Sequence, residues 1–110
     1  MTKRAWVLLA ALAFSSSVHA NPAHKHVSGL SDAERKAFFE RFLKQSGENC
    51  NVTRAFYQGS TKRGDAFWNV ACKGKDGFSV MINNDARGST KIMECRLMKT
   101  VGGTPCFKKF

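Results

Sequence analysis

Two histidines, His24 and His26, stand one residue apart in the segment Asn21-Pro22-Ala23-His24-Lys25-His26. A His-x-His pair near a chain terminus can hold Cu(II) or Ni(II), because imidazole suits both ions. An amino-terminal copper site takes histidine in third place, whereas cleavage after Ala20 puts His24 fourth, so the two histidines are only weak metal candidates. The same pair is all the imidazole that residues 21–110 possess. A small basic secreted hydrolase acting on phosphodiesters needs two poised acid–base groups beside a cation, and here it would have to draw on His24 and His26. Glu94 and Arg54 can approach each other on a sheet, where such a pair is ordinarily a cross-strand ion pair. No nucleophile elbow, P-loop or paired-carboxylate cleft stands in the sequence. The residue types therefore favour a non-enzymatic binding module, with no catalytic residue and no cofactor.

The four cysteines, Cys50, Cys72, Cys95 and Cys106, offer different chemistry. Their wide spacing, without a Cys-x-x-Cys pair, argues against zinc. An even number in a short exported chain argues for two disulfides. Export is expected from residues 1–20, which read as a signal peptide: Lys3 and Arg4, an apolar run from Ala5 to Phe14, and Val18-His19-Ala20 as the cleavage site. The apolar run is about half the roughly 20 residues of a spanning helix, and no later segment is longer. The expected location is periplasmic or extracellular. The 18 Lys and Arg of the whole chain fall to 16 without Lys3 and Arg4, against 8 Asp and Glu, a net charge of +8. Such a chain is drawn to anionic surfaces, so the expected partner is a protein or an anionic envelope component; nucleic acid is possible but not favoured.

The elements that would carry these residues follow from local pattern. Residues 21–30, with Pro, Gly and few apolar groups, read as a flexible leader. Residues 31–110 then form one small domain. Ser31-Asp32-Ala33-Glu34 has the form of a capping box, and Phe38, Phe39, Phe42 and Leu43 recur at helical spacing, which predicts an amphipathic helix over 32–46. After Gly47 the period becomes two. Strands are predicted over 52–57, 66–72, 78–83 and 90–99, separated by turn-rich segments too short for parallel crossovers. The fold class is α+β: the helix packed on a four-stranded antiparallel meander, a two-layer sandwich with two disulfides.

Side-chain parity assigns the two faces of that sheet. Even positions of the first three strands (Val52 and Phe56; Trp68 and Val70; Phe78, Val80 and Ile82) and odd positions of the fourth (Met93, Cys95, Leu97) are expected to face the helix. Pairing position 50 with 72 and 80 with 95 aligns these sets. Cys50 then faces Cys72, while Cys72 and Cys95 lie two strand spacings apart, about 9.6 Å and beyond disulfide reach. The expected bridges are Cys50–Cys72 and Cys95–Cys106, and the second ties the carboxyl-terminal tail over the sheet. The opposite face is expected to expose Tyr57, Phe67, Met81, Ile92 and Met98, rimmed by Lys62, Arg63, Lys75 and Arg96. An apolar face with a basic rim is the candidate binding surface.

Overall fold

A computed structural model of the chain describes residues 21–110; the expected signal peptide lies outside them. The elements run α1 (Pro22–Gly29), α2 (Asp32–Gln45), β1 (Val52–Ser60), β2 (Ala66–Cys72), β3 (Lys75–Ile82), β4 (Thr90–Glu94) and a 3-10 turn (Cys95–Leu97). The strands form one antiparallel sheet in the order β1-β2-β3-β4, with the helices on one face. The α+β class and the meander agree with the sequence reading.

Helix α2 starts as its residues require. The Ser31 hydroxyl accepts the Glu34 amide at 3.2 Å, and the Glu34 carboxylate accepts the Ser31 amide at 2.9 Å. Phe39 and Leu43 are completely buried beneath the helix, each contributing roughly 1.5–3 kcal/mol through removal of apolar surface from water. They meet Trp68, Val70, Phe78, Val80 and Ile82 from the sheet.

The segment expected as a flexible leader is instead a helix. Asn21 caps α1 by accepting the His24 amide at 3.2 Å, and Pro22 occupies the first turn, where its missing N–H costs nothing. Asn21 is itself buried. Its backbone N–H donates to Asn84 Oδ1 at 2.9 Å, and its side-chain amide donates to the carbonyls of Gly64 and Ile82. At the other end, Arg35 reaches from α2 to the carbonyls of Val27, Ser28 and Leu30, satisfying acceptors the helix end leaves open. Val27 joins the core at 1% exposure, so residues 21–30 are part of the folded domain.

Two strands present faces opposite to those expected. In β1 the register slips between Val52 and Arg54, where Thr53 is an extra residue, and again between Tyr57 and Gly59, where Gln58 is extra. One bulge reverses the faces of everything beyond it. Ala55 and Tyr57 therefore pack on the helix side, and Phe56 lies on the outer face against Phe107 of the tail. In β4, Val80 pairs with Ile92 and not with Cys95. That odd displacement turns Ile92 towards the core and leaves Met93 and Leu97 exposed. The 83–89 turn sets this register: Asn83 N–H meets the Ser89 carbonyl, and Asp85 gathers the amides of Arg87 and Ser89. The strand itself stops at Glu94.

Between β2 and β3 the register is Val70↔Phe78 and Trp68↔Val80, two residues from that expected, which preserves the faces. Gly77 permits it, since a Cβ there would lie 2.1 Å from the Val70 carbonyl oxygen. Both expected disulfides form, Cys50–Cys72 with Cα atoms 5.1 Å apart and Cys95–Cys106 at 5.7 Å.

Candidate functional site

The outer face of the sheet divides into two halves. Over β1 and β2 runs a strap, residues 104–110, tethered at one end by Cys95–Cys106. Two buried polar side chains hold it. Gln58, the second bulge residue, donates from Nε2 to the carbonyls of Pro105 (2.9 Å) and Lys108 (3.0 Å), with that of Thr104 at 3.5 Å. Its Oε1 accepts from Asn69 Nδ2 at 3.3 Å, and Asn69 Oδ1 accepts the Phe107 amide at 2.8 Å. Phe107 takes a left-handed backbone, φ 65°, a conformation that costs a bulky residue of order 1–3 kcal/mol. Its amide bond to Asn69, its contact with Phe56 and the Arg54 guanidinium over its ring offset that cost. Phe110 closes the strap edge-to-face on Phe67. Gly59 must lack a side chain there, because a Cβ would meet the Phe110 ring at 2.6 Å.

Over β3 and β4 no strap lies. Here an open groove of about 450 Å³ runs between Phe67 and the turn after β4, walled by Met81, Met93, Met98 and Val101. The chain has four methionines; Met1 lies outside the described residues, and the other three all line this groove. Its polar groups are the buried Ser79 and, on β4, the exposed Lys91. Of the four large apolar side chains left exposed, Met93 at 37% and Val101 at 61% line it, and Phe110 on the strap, at 58%, packs on the groove residue Phe67. Such clustering, unlike scattered exposure, marks an interaction site.

Of the expected binding residues, Phe67, Met81 and Met98 do line the groove. Tyr57 does not: it stacks between His24 (4.7 Å) and Trp68 (5.2 Å) on the helix side. Ile92 packs towards the core while still contributing to the groove lining. Arg96 donates to Glu94 at 2.9 Å and lines a neighbouring cleft with Lys99 beside the second disulfide. That bond, together with the carboxylate's charge, raises the guanidinium pKa. Lys62 and Arg63 are exposed in the β1–β2 turn and Lys75 at the start of β3. Lys91 is the cation of the groove wall itself.

The histidine pair does not form a common site. Trp68 Nε1–H donates to His24 Nδ1 at 3.0 Å. An indole N–H can only donate, so His24 is neutral with its proton on Nε2, which faces Ser28 Oγ. Burial pushes its pKa below the ordinary value of 6.5. His26 is exposed and touches Phe38 instead. Among the described residues no three His, Cys, Asp or Glu side chains are grouped to hold a metal ion.

Sequence reasoning missed Gln58, Asn69 and Val101. Asn69 carried a signal, a polar residue amid the apolar run Ala66 to Cys72. Gln58 carried none, since its burial depends on the bulge. The chain matches no protein-family model, no curated protein and no solved structure.

Proposed function

We propose that the protein is an exported, non-catalytic binding module that uses the uncovered half of its outer sheet face to hold a protein or an anionic envelope component. The observation that carries this reading is the exposure of Met93 and Val101 in the lining of one apolar groove. Neither carboxylate nor imidazole lines the groove, so it offers none of the usual acid–base pairs. The two disulfides, and the absence among the described residues of any helix long and apolar enough to cross a membrane, are compatible with export. The net charge of +8 over residues 21–110, with Lys91 in the groove wall, favours anionic partners.

The test compares the wild-type protein with Met93→Gln/Val101→Asp as bait in an envelope extract at moderate salt. A component retained by the wild type and lost with the double variant is the expected result. Arg96→Glu should weaken retention chiefly at low salt. Identical retention by wild type and groove variant would sink the reading.

A further inference from the structure

The groove's lining also speaks to the chemistry of its occupant; this inference rests on the binding reading above. We infer that the groove takes a single acyl chain bearing an anionic head group, with the chain along the methionines and the head beside Lys91.

Three observations converge on this ligand. First, Phe67, Met81, Met93, Met98 and Val101 present carbon and sulfur, and beyond Lys91 the lining offers only the hydroxyl of buried Ser79. An extended peptide laid across these side chains, away from the free edge of β4, would bring a backbone N–H and C=O at every residue and leave them unpaired. An acyl chain brings none. Second, the size suits one chain. A volume of about 450 Å³ falls in the range of roughly 300–1,000 Å³ typical of small-molecule sites. One turn of helix, about 5.4 Å long and about 10 Å across, would already fill it. Methionine adapts its unbranched side chain to a flexible chain of variable length. Third, the one charged group of the lining is a cation, Lys91, exposed on β4 where its ammonium can meet a head group still in contact with water. The net charge of +8 for residues 21–110 adds a field of the same sign.

The methionines provide the readout, because Met81, Met93 and Met98 all report on the groove. The disulfide-bonded protein, labelled at its methionine methyl groups, is titrated with octanoate, decanoate and dodecanoate below their micelle concentrations. The neutral glycerol monoester of decanoate serves as the comparison. The expected result is that the three methyl signals move together, with affinity rising by up to about fourfold per added methylene. Decanoate should bind more tightly than its neutral ester by about two- to fivefold, and Lys91→Glu should remove that preference. Val101→Asp, at a site that is 61% exposed, should weaken the whole series at least tenfold; Met93→Gln is the second groove variant should the first fail to fold.

Equal binding of anion and neutral ester would overturn the inference while leaving the groove as a binding site. Binding to anionic phospholipid vesicles without any response to the monomeric acids would overturn it in favour of a membrane surface. Methyl signals unmoved by every ligand would overturn the acyl-chain inference, and if the groove variant also retains its envelope partner, the binding reading falls with it.

Discussion

The strapped and the bare halves of the outer face belong to one sheet yet are built from different residue types. Under the strap, Gln58 and Asn69 are fully buried, and their side chains hydrogen-bond to each other and to the backbone of residues 104–110. Among the described residues no buried side-chain nitrogen or oxygen lacks a partner. Buried polar groups of this kind specify their occupant, because any other would leave them unpaired. The bare half has methionines where the strapped half has amides. Thioethers impose no direction and tolerate many shapes. The molecule thus uses hydrogen bonds where the occupant is its own chain, and on the proposed reading adaptable apolar surface where the occupant comes from outside.

The largest blow to the strapped half should come from Cys95→Ala/Cys106→Ala. Losing a bridge across 11 residues should lower stability by about 3 kcal/mol, read from urea unfolding. It should also raise dye binding as Phe56 and Phe67 lose their cover; unchanged stability would show that the strap holds without its tether. Next, Gln58→Ala should cost about 2 kcal/mol by stranding the amide of Asn69 and the carbonyls of Pro105 and Lys108. Amide exchange at Phe107 and Phe110 should accelerate in that variant, and protection equal to wild type would remove Gln58 from the anchor.

The bare half should answer oppositely. Met93→Gln and Val101→Asp should each shift stability by no more than about 0.5 kcal/mol, as exposed positions do, while ligand and partner binding fall. A loss of stability comparable to Gln58→Ala would mean that the groove is core and the contrast between the halves is false. The smallest effect lies on the helix side. His24 is held neutral with its pKa depressed by burial, so the unfolded chain binds more protons as pH falls through 6.5 towards the folded value. Its contribution is fully present above about pH 6.5, the unfolded value, and declines below it, when imidazolium formation also breaks the bond from Trp68. Comparing the pH 7 to pH 5 change in stability with that of His24→Gln checks this, and identical changes would remove His24 as its source.

The sequence was legible wherever structure is decided within a few residues. The capping box at Ser31 and Glu34, the Phe39 and Leu43 stripe, and the turns between strands placed α2 and the first three strands to within about three residues, and the start of β4, though that strand ends at Glu94 rather than Lys99. Even α1 had its start signal in Asn21-Pro22, overridden by the polar composition that follows. Strand faces were less secure, because parity is cumulative. One extra residue at Thr53 carried Tyr57 to the helix side and Phe56 to the outer face, and a register three residues from that expected exchanged Met93 for Ile92.

The residues by themselves therefore determined the class of the fold, its helix and strands, and the pairing of its cysteines, since periodicity, caps and the reach of a disulfide are local or metric constraints. Tertiary structure alone decided that Gln58 and Asn69 bind the tail, that His24 is buried against Trp68, and that Met93 joins Met81 and Met98 in one uncovered groove. Bulges, turn lengths and the path of the strap set those meetings, and each is a compromise among many contacts that no short stretch of sequence contains.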